Sequence, residues 1–237
     1  MALGQRLERI TKTPGLNLAG ETLSLDLCGG LWLPEHRTLV VSDLHLEKGS
    51  SFAARSGQFL PPYDTRETLA CLHEVIARLD PACVVALGDS FHDPSGPERM
   101  EPGDRALVSV LQEGRDWVWI AGNHDHAVSS GVGGRYAETM AIGGLTLRHE
   151  PIAGAAEGEI AGHLHPCGKV AMRGRAVRRR CFVTDGRRLV MPAFGAYAGG
   201  LNVRNTAFEP LFPKGFTAHL LGDGRIFAIE RAMLARD

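Results

Sequence analysis

Apolar residues recur along the chain with two different periods. Leu23, Leu25 and Leu27 alternate with Thr22, Ser24 and Asp26, the period of two expected of a half-buried strand. Thr38–Val41 is a short run stopped by Ser42 and Asp43, as in a strand buried on both faces. From Asp64 to Leu79 the period changes, and Leu69, Leu72, Val75, Ile76 and Leu79 fall on one helical face. Asp64 or Thr65 is placed to cap that helix, and Pro81 stands just past its end. Cys83–Leu87 predicts a strand ending at Gly88 and Asp89, residues 103–112 a second helix, and residues 117–120 a strand ending at Gly122 and Asn123. Strands alternating with helices favour a mainly parallel sheet of the α/β class.

The second half reads differently. Residues 138–142 and 145–148 predict a hairpin around Gly143 and Gly144. Residues 159–161, 168–172, 176–184, 188–191, 216–221 and 225–230 are further strand candidates, the last two joined through Gly222, Asp223 and Gly224. A parallel α/β half followed by a strand-rich half predicts two sheets packed as a sandwich and flanked by helices. No linker composition marks the change near residue 136, so residues 1–237 read as one domain.

Composition adds exclusions. With 237 residues, 44% hydrophobic and 22% charged, the chain can bury a sizeable core and is not of the disordered class. No apolar run reaches the ~18 residues that span a bilayer. The first fifteen residues lack the apolar stretch and cleavage site of a secretory signal, so a cytoplasmic location is expected. Five cysteines at irregular spacings, with no Cys-x-x-Cys, exclude a zinc ribbon and a thioredoxin-like pair and read as free thiols.

Net charge is −1, so an anionic partner must be argued from a local cluster. One exists between Lys169 and Arg188, where eight basic residues face one acid, Asp185. Within it Arg173, Arg175 and Arg179 share alternation parity and could face one side. Two readings stand: a patch for a nucleic-acid backbone, or a solvated strand edge protected by charge. Residues 129–136, rich in glycine, read as a rim of the site or as a plain surface loop.

Histidine is the unusual component, ten in all, six of them in short polar segments that end apolar runs. Five such segments follow five predicted strands: Asp43-Leu44-His45, Gly88-Asp89, Gly122-Asn123-His124-Asp125, Arg148-His149 and Gly162-His163-Leu164-His165. Strand ends in an open α/β sheet converge on the ligand crevice. Carboxylate, amide and imidazole donors without sulfur suit manganese, iron, cobalt or zinc. Seven donors exceed the needs of one tetrahedral ion and suit two. Two ions about 3.5–4 Å apart serve in-line displacement at phosphorus. Taken singly, each of these residues could equally be a turn, cap or hydrogen-bonded structural residue. His36, His73, His126 and His219 read as structural or surface residues.

In this order and spacing, the five segments resemble the signature of the binuclear metallophosphoesterase (calcineurin-like) superfamily, and residues 39–165 carry the match. Residues 88–93, 147–151, 162–166 and 191–200 further resemble the bacterial ligase-associated metallophosphoesterases. The resemblance implies the calcineurin-like fold and two divalent ions, with manganese foremost. It implies that Asp43, His45 and His165 hold one ion, Asn123, His149 and His163 the other, and that Asp89 bridges. It places His124 over the phosphoryl group, with Asp125 fixing its ring, and gives His92 a phosphate contact. The activity implied is a phosphodiesterase or DNA endonuclease acting by a hydroxide held between the ions. Its partners would be DNA, foremost single-stranded, or a nucleotide diester, with a repair association to a DNA ligase and a helicase. The alternatives are a phosphomonoesterase, a small- or cyclic-nucleotide hydrolase, and a catalytically silent metal-bearing scaffold.

Overall fold

In a computed structural model, residues 15–56, 63–124, 131–154, 156–172 and 174–237 are described. They form two sheets. The first runs in spatial order β1 (Gly15–Leu18), β2 (Glu21–Leu25), β3 (Leu31–Leu33), β4 (Thr38–Val41), β5 (Cys83–Leu87), β6 (Asp116–Ile120) and β7 (Arg135–Ala137). It is antiparallel from β1 to β4 and parallel from β4 to β7. The helices α1 (Lys48–Ser56), α2 (Asp64–Leu79), α3 (Gly96–Arg99) and α4 (Pro102–Gln112) lie in its connections.

The second sheet contains β8 (Thr139–Ile142), β9 (Leu145–Arg148), β10 (Glu159–Ala161), β11 (Pro166–Met172), β12 (Arg175–Thr184), β13 (Arg188–Val190) and β14 (Leu201–Asn202), in the order β14-β11-β12-β13-β10-β9-β8. The pair β15 (Thr217–Leu221) and β16 (Ile226–Glu230) branches from β12. The mixed α/β, two-sheet expectation therefore holds, and no helix among the described residues is long and apolar enough to cross a membrane.

Strand alternation feeds three apolar layers. In β5, Val85 and Leu87 point between the sheets, beside Val118, Ile120, Leu147, Ile160 and Leu189. Val84 and Ala86 point the other way, against Leu69, Leu72, Val75 and Ile76 of α2 and Val108 and Leu111 of α4. That two-sided burial is why Cys83–Leu87 is apolar at every position rather than alternating. The outer face of the second sheet covers Cys181, Val183 and Val190 with Val203, Phe208, Phe212 and Phe216.

Local chemistry shifts several boundaries. The strand at Leu23 stops at Leu25, because Asp26 N–H bonds Gly30 O and turns the chain before Leu27. Neither Asp64 nor Thr65 caps α2, whose N-cap is Tyr63. Both side chains instead face α1, where Asp64 accepts from Gly49 N–H (3.0 Å) and Thr65 bonds Glu47 (2.9 Å). At the other end, Asp80 takes the left-handed cap at φ 45° and donates its N–H to Ile76 O.

Candidate metal centre

All five polar segments leave their strands at one edge of the sandwich. Parallel registry aligns Val41 with Ala86 and Leu87 with Ile120, so the segments after β4, β5 and β6 emerge side by side. In the second sheet Ala161 pairs with Arg148, which sets His149 and His163 next to each other. The two sheets are tied at this edge by Asp43, fully buried, whose carboxylate accepts the His163 backbone N–H at 3.0 Å and is held by Ser42 Oγ–H.

Two clusters result. Ligand-type atoms of Asp43, His45 and His165 lie within 4.8 Å of one another, and so do those of Asp89, His149 and His163. His149 Nδ1 donates to Leu87 O at 2.9 Å, which turns its Nε2 into the cluster, 3.2 Å from His163 Nδ1 and 3.5 Å from Asp89. His165 Nδ1 donates to Gly199 O at 3.2 Å, which turns its Nε2 inward, 3.2 Å from both His45 Nε2 and Asp43. Imidazole lone pairs this close repel unless a proton or a cation lies between them, and a carboxylate beside each pair supplies the balancing charge. The residues present fit a divalent ion in each cluster. Asn123 brings its side-chain amide to within 3.3 Å of His163 Nδ1. Asp89 links its cluster to the other through its backbone O, which accepts His45 N–H, and its carboxylate accepts His124 N–H, both at 2.9 Å.

Burial and charge set the protonation states. Burial, the largest influence on His45, holds its imidazole down to about 4, so it is neutral at pH 7. Burial alone would raise Asp43, but His165, His149 and Ser42 outweigh it and keep the carboxyl below its ordinary value. Burial works to lower His165, and the Asp43 carboxylate overcomes it.

Above the clusters, His124 is half exposed, with its Nε2 3.9 Å from Asp89. His92 stacks on His124 with ring centroids 5.6 Å apart and on Phe52 at 5.5 Å. Burial, with the Lys48 ammonium next, lowers the His92 imidazole. Seven candidate ligands and both candidate catalytic histidines thus meet in one place. Asp125 and His126 lie outside the described residues, as do Ser129 and Ser130. The remainder of that glycine-rich stretch is pinned by Gln112 to Val132 O and by Trp119 to Gly133 O.

The basic segment divides. Arg175 and Arg179 are exposed on alternate positions of β12, while Arg173 lies outside the described residues. Arg178 and Arg180 take the intervening positions and bond the loop after β13, at Gly200 O and at Ala193 O and Phe194 O. Lys48 bonds the same loop at Tyr197 O, 3.0 Å away. The glycine-rich stretch 191–200, singled out in the sequence, reads as a turn bracing the site, and this loop braces His165 through Gly199 O; that Arg178 and Arg180 hold it was signalled only by their shared even parity. His36 pairs with Glu21, His73 is exposed, and His219 is buried.

Acid and imidazole donors paired at the shared edge of two α/β-layered sheets define a metal-dependent hydrolase. The chain belongs to the calcineurin-like phosphoesterase family, whose pattern matches residues 36–172, and it is a metal-dependent phosphoester hydrolase. Among solved structures it is similar to the Pseudomonas putida nuclease MPE, at 27% identity and a TM-score of 0.69, covering 91% of this chain and 99% of that one. It is also similar to Yfce, a phosphoesterase from E. coli, at 15% identity and a TM-score of 0.40, covering 83% and 98%. No curated protein matches it.

Proposed function

We propose that this chain is a phosphodiesterase that cleaves DNA, foremost single-stranded, or another nucleotide-containing diester. The observation that carries the reading is the pair of facing imidazole–carboxylate clusters beneath an exposed histidine. Likeness to a nuclease over nearly the full chain supports a nucleic acid as the substrate. Asp43, His45 and His165 would hold one ion, Asn123, His149 and His163 the other, with Asp89 shared; the mixed oxygen and nitrogen donors suit manganese, iron, cobalt or zinc, and the sequence resemblance puts manganese first. When bound, such a pair supplies Lewis acidity and a nucleophilic water-derived oxygen at neutral pH.

The chain's own residues do the rest. Asp89 accepts the His124 backbone N–H and so fixes where that ring stands. His124 hydrogen-bonds a non-bridging phosphoryl oxygen or protonates the leaving oxygen. His92, stacked parallel to it at 14°, contacts the phosphate from the side. Arg175 and Arg179 meet the phosphates of a longer strand. A repair role beside a ligase and a helicase rests on the sequence resemblance alone.

His124→Ala should retain its metal and lose about 10²–10⁴-fold in kcat on an aryl phosphodiester. Asp89→Ala should lose metal, read by elemental analysis. Wild-type turnover by the His124 variant would remove the assigned role. Rates on an aryl monoester, an aryl diester, cyclic nucleotides and single-stranded DNA, each across divalent metals, separate the nuclease from a monoesterase, a small-nucleotide hydrolase or an inactive scaffold.

A further inference from the structure

Residues 193–200, between β13 and β14, carry no helix or strand, yet they are fixed at nearly every step. Phe194 N–H bonds Ser42 O at 2.7 Å and Gly195 N–H bonds Asp43 O at 3.2 Å. Ala196 N–H bonds Thr68 Oγ1 at 3.0 Å. Gly195 presses so closely on Leu44 O and Asp43 O that a Cβ could not fit, and a Cβ on Gly200 would strike Cys167 Sγ. At the far end Gly199 O receives His165 Nδ1–H, and Leu201 N–H returns a bond to His165 O at 2.9 Å. The loop is a strap across the Asp43–His45–His165 cluster.

Two guanidinium groups hold the strap from β12. Arg180 reaches Ala193 O at 2.8 Å and Phe194 O at 3.2 Å, at its start. Arg178 bonds Gly200 O, one residue beyond the carbonyl that orients His165. Arg178 also has the Asp237 carboxylate 3.8 Å away, shared with Lys169. A carbonyl that accepts Nδ1–H keeps a proton on Nδ1, so that Nε2, the atom that faces Asp43 and His45, is the nitrogen left to bind an ion.

We propose that Arg178 and Arg180 are positioning residues for the Asp43–His45–His165 site: they lock the strap so that Gly199 O fixes the tautomer and aim of His165. The inference rests on the metal-centre reading above. It removes these two side chains from the nucleic-acid patch and gives them a role at one of the two ions.

The test uses the full chain, stripped of metal, as wild type, Arg178→Met, Arg178→Lys and Arg180→Met. Manganese titration by calorimetry should show two sites in the wild type. One should weaken about 10–100-fold in each Met variant and recover partly in Arg178→Lys, the other staying as in wild type. Long-range imidazole 15N–1H spectra of the metal-free chains should show His165 protonated at Nδ1 in wild type and Arg178→Lys, and a tautomer mixture in Arg178→Met. Wild-type affinities at both sites in both Met variants, or an unchanged His165 tautomer in Arg178→Met, overturn the proposal. A wild type that binds no divalent ion overturns the metal reading instead, and the tautomer comparison still decides the role of the strap. If Arg178→Met does not fold, as judged by circular dichroism, the milder Arg178→Lys and Arg180→Met carry the same two readouts.

Discussion

Gly88 turns the chain from β5 into Asp89 at φ 69°, and a Cβ there would lie 2.5 Å from the His149 ring. Gly88→Ala should therefore push His149 away from Leu87 O, lower stability by about 1–3 kcal/mol and release metal. Thermal melts and metal content check both. The glycine was visible in the sequence as a sharp exit. What it could not show is that Asp43, His45, Asp89, His163 and His165 themselves sit at positive φ, between 44° and 67°, five of the nine such non-glycine residues described. Nothing in an Asp or His marks that conformation; the surrounding bonds impose it. Beside His92, burial works to raise the Asp93 carboxyl, but the Arg99 fork at 2.6 and 3.0 Å, Ser51 and the Ser95 amide bring it down to about 2. A carboxyl lowered on folding adds stability above its ordinary value, and that stability is lost as pH falls toward about 2. Arg99→Ala should cost about 1.5–3 kcal/mol near neutrality. In urea melts taken down the pH scale, its deficit against wild type should shrink below pH ~4.

Among the elements, α2 and β5 were legible because period and burial agree in them: one face of α2 packs on one face of the sheet. The helix α1 was not. Its first turn carries Gly49, Ser50 and Ser51, and the acceptor that meets the Gly49 N–H, Asp64, comes from the next helix. The short strands β1, β3, β7 and β14 were also missed, since two to four residues carry too little alternation to register. In β12 the parity of the arginines was readable, but not which parity faces the site, because pairing with β11 and the position of the strap decide that. Arg175 and Arg179 keep exposed cationic heads. Replacing both with Gln should weaken single-stranded DNA binding and flatten its salt dependence by one to two counter-ions, about 0.7 in slope for each phosphate no longer neutralised. Fluorescence anisotropy across a salt series measures this.

For the whole molecule, the expectation of two packed sheets holds, and the strand-end segments meet at one edge; sequence order alone could not reveal that each donor cluster is drawn from both sheets. Asp43 and His45 come from the first sheet and His165 from the second, and the same division separates Asp89 and Asn123 from His149 and His163. Ligands that bind this arrangement and not the unfolded chain must stabilise it. Manganese at a hundredfold excess over its dissociation constant should add about 2.7 kcal/mol per site, about 5–10 °C in a chain of this size, and chelation should reverse it. Scanning calorimetry with and without the ion is the measurement.

The buried Asp43 carboxylate serves two masters: it belongs to a donor cluster, and it fastens the turn at His163 in one layer to the end of β4 in the other. A knockout at that position is consequently two lesions at once, one in the chemistry and one in the joinery. Dead enzyme from such a variant says little about which failed, whereas Asn123, solvent-facing and free of any cross-layer backbone bond among the described residues, offers the cleaner excision.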